Sequence, residues 1–334
     1  MTTLSDIKFS TLDLVPVREG GSPAQALRNS LDLAQHVEKF GYNRFWVAEH
    51  HNMDGIASSA TSVLIGYLAG GTSTIRVGSG GVMLPNHAPL VIAEQFGTLE
   101  SLYPGRIDLG LGRAPGSDQM TARALRRERS GSADDFPEDV AELVRYLGPR
   151  TPDQRVIAMP GTGTNVPVWL LGSSLFSAQL AGERGLPYAF ASHFAPRLMH
   201  EAIRVYRNHF KPSAVLDKPY VMLGVPLVAA DTDEQAQYLA TSVYQRILAL
   251  MRGQSLVQRA PVDTMDGLWL PHEKDAVMSF LGLAMVGSPE KIRAKLAVLI
   301  EQTGADELIF TSDLYEHADR IHSYELLAQV MKQG

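Results

Sequence analysis

Short apolar runs alternate with amphipathic segments of helical length from Ile7 to Met331, and few architectures accept that order. The runs are Ile7–Val15, Arg44–Glu49, Ile75–Leu84, Arg106–Gly112, Val166–Leu171, Tyr188–Ala191, Tyr220–Ala229 and Glu307–Thr311. Most are apolar at nearly every position, as expected of parallel strands covered by helices on both sides. Between them the spacing predicts helices over Ala24–Phe40, Ser58–Ala69, Pro89–Ser101, Ser174–Arg184, Pro196–Phe210, Asp233–Met251 and Pro289–Thr303, with a last one near Ala318–Met331. The first shows its punctuation clearly: Ser22 as N-cap, Pro23 at the first helical position and Gly41 as the stop. Eight strands alternating with helices predict an α/β fold, a (β/α)8 TIM barrel; a doubly wound open sheet would need fewer strands or an obvious edge. Two stretches break the rhythm. Residues 113–165 are irregular around one helix near Asp134–Tyr146, and residues 253–286 are irregular throughout, which places insertions after strands 4 and 7, on the barrel face where ligands bind.

The length of 334 residues fits this reading as a single barrel domain, residues 1–334, and 45% hydrophobic residues supply a sizeable core. The chain has no Cys, which excludes thiolate catalysis, Cys-ligated zinc and iron–sulfur clusters. Redox chemistry would therefore need a bound, non-thiol cofactor. With 30 Lys+Arg against 36 Asp+Glu, the net charge of −6 argues against nucleic acid as a partner. The densest basic stretch, Arg123–Arg129, is flanked by acids and reads as a solvated helix face. The start, MTTLSDIKFSTLDL, lacks the pattern of a secretion signal, and no apolar run reaches the ~18 residues that span a bilayer. A cytoplasmic protein without membrane contact is expected.

Four motifs bear on chemistry. Gly110–Gly116 (GLGRAPG) superficially resembles a dinucleotide fingerprint, but its third Gly is one position late and Pro115 stands where a helix should run. No Walker A, HExxH, GxSxG or EF-hand pattern occurs. Gly172, Ser173, Ser174 and Ser177 lie where a strand opens into a helix, so hydroxyls and free N–H groups could meet an anion at the positive helix end; a plain N-cap is the other reading. Glu49-His50-His51 ends the second strand, where barrel catalytic groups are found, and only one of the two adjacent histidines can face the mouth directly. A structural histidine pair is the alternative. His87, His193 and His200 are scattered, so no metal site is expected. Ser79-Gly80-Gly81 interrupts a strand that ought to carry packing side chains; it marks either a bulge or a place where something flat approaches the backbone.

On these residues the chain resembles the bacterial-luciferase-like family of flavin-dependent monooxygenases and oxidoreductases. The likeness runs nearly end to end: WVAEHH at Trp46–His51, IRVGSGGVMLPNHAP at Ile75–Pro89, AEQFGTLESLYPGRIDLGLGR at Ala93–Arg113, WLLGSSLFSAQLAGERGLPYAFASHF at Trp169–Phe194 and MVGSPEKI at Met285–Ile292. The resemblance implies the same barrel, FMN as cofactor and commonly a homodimer. It implies that His50 is the histidine beside the flavin and that Gly80-Gly81, after Ser79, forms a non-prolyl cis peptide under the ring. Gly112 and Arg113 would lie near the flavin, Arg113 by its phosphate, with Gly172, Ser173, Ser174 and Ser177 as phosphate-binding positions. The implied reaction is monooxygenation: reduced FMN reacts with O2, and the oxygenated flavin attacks a small organic substrate. Electrons would come from NAD(P)H, directly or through a partner flavin reductase. Hydride exchange through F420 and flavin storage without catalysis are the alternatives within the same fold. Two positions depart from the pattern: luciferase has a reactive Cys where Gly112 stands and a Glu where Ser173 stands, so light emission is not expected.

Overall fold

The computed structural model describes residues 4–114, 119–125 and 135–332. Strands β1 (Lys8–Asp13), β2 (Arg44–Val47), β3 (Arg76–Met83), β4 (Ile107–Gly112), β5 (Val168–Gly172), β6 (Tyr188–Phe190) and β7 (Val221–Ala229) follow one another in parallel around a ring. A short β8 (Met285–Gly287) pairs, among the described residues, with the end of β7 alone, and β9 (Glu307–Thr311) lies between β7 and β1 and closes the circle. The closed sheet is an eight-stranded parallel barrel with β8 as a flap, the (β/α)8 architecture expected from the rhythm of the chain.

The surrounding helices are α1 (Pro23–Phe40), α2 (Thr61–Gly70), α3 (Pro89–Leu102), α4 (Gln119–Leu125), α5 (Phe136–Leu147), α6 (Leu175–Arg184), α7 (Met199–His209), α8 (Asp233–Met251), α9 (Pro271–Phe280), α10 (Pro289–Thr303) and α11 (His317–Lys332). Their ends follow local chemistry. Ser22 Oγ accepts the Gln25 N–H at 3.2 Å, Thr232 Oγ1 does the same for Gln235, and Gly41 closes α1 at φ 88°. The segment read as one helix from Pro196 begins instead as a 3-10 turn, Pro196–Leu198, before α7. The stretch 253–286, read as irregular, contains α9 and β8; α9 starts at Pro271, where the Glu273 side chain accepts the Leu270 N–H at 2.7 Å. Of the basic stretch 123–129, residues 126–129 lie outside the described residues, as do Pro115 and Gly116. No helix among the described residues is long and apolar enough to cross a membrane.

The barrel is filled in layers. At the N-terminal ends of the strands, Arg44 bridges Asp108 at 2.6 Å and Glu307 at 3.0 Å, Arg76 holds Asp108 at 2.6 Å, and the Tyr220 hydroxyl donates to Glu307 at 2.8 Å. Ser10 also donates to Glu307. Each buried carboxylate thus meets several donors, the condition under which a charge tolerates burial. Above this lies an apolar layer of Leu12, Trp46, Trp169, Ala189, Met222 and Ile309, with the two indoles edge to face at 5.2 Å. At the C-terminal ends the layer changes again, to glycine.

Candidate active site

Four glycines form the floor of the barrel mouth. A Cβ on Gly80 would lie 2.6 Å from Leu12 Cδ1, one on Gly81 2.4 Å from Leu171 Cδ1, and one on Gly110 2.2 Å from the Ser79 carbonyl oxygen. On the far side, a Cβ on Gly224 would lie 2.3 Å from His193 Nδ1. The β3–β4 register shifts between Gly80 and Val82, so the strand does carry a bulge, and the Gly80–Gly81 peptide is cis. Ser79 is fully buried: its Oγ accepts the Gly110 N–H and donates to the Gly110 carbonyl, both at 2.9 Å. Its hydroxyl therefore serves the bulge and not the mouth.

β2 ends at Val47, and after Ala48 the next three residues carry the acid and the histidines. His50 is half-buried, with its N–H donated to the Ser58 carbonyl at 3.1 Å. Glu49 is 1% exposed. Its carboxylate accepts from His51 Nε2 at 2.9 Å, from His87 Nε2 at 2.8 Å and from the Met83 N–H at 3.1 Å. Burial works to raise the Glu49 carboxyl; hydrogen bonding and charge from His87, then the bonds from His51 and Met83, outweigh it and hold the group below its usual value. His51 is thus committed to Glu49.

His193, set aside as scattered, turns out to belong to the same region. It lies three residues past β6, and β6 stands opposite β2 in the eight-stranded ring. Its ring packs over Gly224 and edge to face with Phe194 at 4.8 Å, and its Nδ1 is enclosed without a hydrogen-bond partner. Burial pushes this imidazole down to about 4, helped by the nearby charge of His50, so it is neutral at pH 7. Nothing local in the sequence marks His193; the only signal was its place just beyond a strand end on the mouth side.

The third part is the start of α6. Ser174 occupies the N-cap with extended backbone, φ −120° and ψ 160°, yet its side chain makes no capping bond. The plain N-cap reading therefore describes its position and not its hydroxyl, and the first-turn amides keep their donors. Ser177 is buried one turn on, with its Oγ so close to Gly172 that a Cβ there would sit 2.5 Å away. Arg113, just past β4, stacks its guanidinium over Phe176 of the same first turn at 4.3 Å. Ser173 is half-buried between Gly172 and the cap. Gly112 differs from the floor glycines: a Cβ there would meet Met83 Sδ at 2.8 Å, the movable end of a flexible side chain. Among the described residues no three His, Asp or Glu side chains are grouped to hold a metal ion.

Known proteins resemble the chain over nearly its whole length. The model of a family described as luciferase-like monooxygenase matches residues 7–307. A "Luciferase-like monooxygenase" of Escherichia coli K12 is 54% identical over 327 residues, 98% of each chain. An "N-acetyl-S-alkylcysteine monooxygenase" of Bacillus subtilis 168 is 33% identical, covering 97% of this chain and 98% of its own. Among solved structures, apo-MsnO8 superposes with a TM-score of 0.91 at 36% identity, covering 98% of this chain and 99% of that one.

Proposed function

The chain belongs to the luciferase-like monooxygenase family, and from that premise we propose that it uses reduced FMN and O2 to oxygenate a small organic substrate. The observation that carries this reading is the pairing of a floor where no Cβ fits with an open helix start, on neighbouring strands of one mouth. A flat ring on one side and an anion on the other match those two features. The isoalloxazine would lie on Gly80 and Gly81, with Ser79, Gly112 and Gly172 contributing backbone alone. The phosphate would meet the amides and hydroxyls of Ser173 and Ser174, with Ser177 beneath them and Arg113 beside them. When bound, reduced flavin supplies the electrons that activate O2.

The protein's part is to orient, to exclude water and to move a proton. His50 would hold or deliver that proton. Exposed apolar side chains on the loops after β6 and β7, among them Phe194, Leu198, Leu270 and Met278, would cover the mouth and keep it dry. NAD(P)H would supply electrons directly or through a flavin reductase. The relative named for N-acetyl-S-alkylcysteines makes thioethers the first substrate class to screen. A homodimer would cover the exposed apolar residues of α2 and α3.

The test is to incubate the protein with a thioether panel, reduced FMN and 18O2, and to compare His50→Ala. One labelled oxygen in the product is expected, with turnover falling about 100-fold or more in the variant while FMN affinity changes little. Reduction or oxidation of substrate with F420 and without oxygen transfer would overturn the reading in favour of hydride exchange. FMN held without any reaction with O2 would favour storage.

A further inference from the structure

On the reading that His50 handles protons beside a flavin, we propose that Glu49 is the positioning residue for that histidine and for the Gly80–Gly81 step. Its carboxylate clamps together the segments that follow β2 and β3. The clamp has three arms of ordinary hydrogen-bond length: His51 at 2.9 Å within the first segment, and the Met83 N–H at 3.1 Å and His87 at 2.8 Å from the second. Met83 ends β3 two residues past Gly81, and His87 leads into α3. Glu49 is the chain neighbour of His50, whose own N–H is fixed on the other side by Ser58. Movement of this one carboxylate therefore moves both the histidine and the floor.

A structural need alone explains this poorly. Holding two loop segments together is a task for apolar packing, and a buried carboxylate is a costly substitute unless its direction and charge are used. Here three donors converge on it from different parts of the chain, and two are imidazoles whose tautomers the carboxylate fixes. The cluster is largely buried: the His51 and His87 side chains are 16% and 29% exposed and that of Glu49 2%.

The experiment uses the full chain labelled with 15N-histidine, without flavin, as wild type, Glu49→Gln, Glu49→Asp and His87→Gln. In the wild type the Nε2–H groups of His51 and His87 should exchange slowly and give sharp signals. In Glu49→Gln and Glu49→Asp those signals should be lost and the His50 ring signals should shift. In the same variants oxygenation should fall about tenfold or more, as expected when a reacting group is displaced. Aspartate keeps the charge and loses the reach, so a positioning role predicts no rescue by it. Full recovery in Glu49→Asp, or unchanged His50 signals in both variants, would overturn the proposal. If Glu49→Gln does not fold, His87→Gln removes the most exposed arm, and an unmoved His50 there overturns it equally. Wild-type protein that shows the clamped signals but takes up no FMN supports the clamp and sinks only the flavin reading.

Discussion

His193 has an imidazole held at about 4 by burial, against about 6.5 in an unfolded chain. Protonation therefore favours unfolding: stability is full above pH 6.5 and is lost as the pH falls towards 4, at no more than about 1.4 kcal/mol per unit. His193→Gln should flatten that acid limb in urea melts taken between pH 7 and 4, and an unchanged limb would mean that the ring is not buried as described. At this scale the sequence was readable where a residue's type limits its use. Two consecutive glycines inside a strand, or a histidine at a strand end, announce themselves. It was not readable where the neighbour decides: Ser79 spends its Oγ on Gly110 in the next strand, and His193 gains its place only because β6 stands across the ring from β2.

Among the elements, β4 offers a contrast between two glycines two residues apart. A Cβ at Gly110 would strike the Ser79 carbonyl, which is backbone of a paired strand, whereas one at Gly112 would meet the tip of Met83. Gly110→Ala should cost about 3 kcal/mol or more in denaturant melts and Gly112→Ala less than about 1 kcal/mol. Equal costs would contradict the view of the floor as closed to side chains. Strands and most helices were legible because a two-sided apolar run and a 3.6-residue period are local signals. α9 was hidden: PHEKDAVMSF has one buried residue, Val277, and so little period to read. The pinning of its loop was hidden as well. Gln258 exchanges backbone hydrogen bonds with Val17 and Glu19, and the Leu256 N–H donates to Asp54 at 3.0 Å, pairings between distant parts of the chain that no local pattern announces.

For the whole molecule, the two ends of the barrel have separate tasks. Charge is buried, paired and fixed at the N-terminal end, while the C-terminal end holds the glycine floor, the histidines and the open helix start. The outer surface is uneven too: Val63 and Tyr67 of α2 and Val91 and Leu102 of α3 are exposed, Val63 by 74%. A dimer through that face should sediment at twice 36.4 kDa, and the pair Val63→Asp with Leu102→Asp should return it to monomer; a monomeric wild type at micromolar concentration would refute it. A flavin phosphate held by this mouth at the start of α6 would show in a titration of the protein with FMN, followed by the quenching of flavin fluorescence. Saturable one-to-one binding is expected, weakened about tenfold by Ser174→Ala or Arg113→Ala, a loss of the size that one charge-assisted hydrogen bond supplies. Binding that neither substitution weakens, or no binding of oxidised or reduced FMN at all, would contradict it.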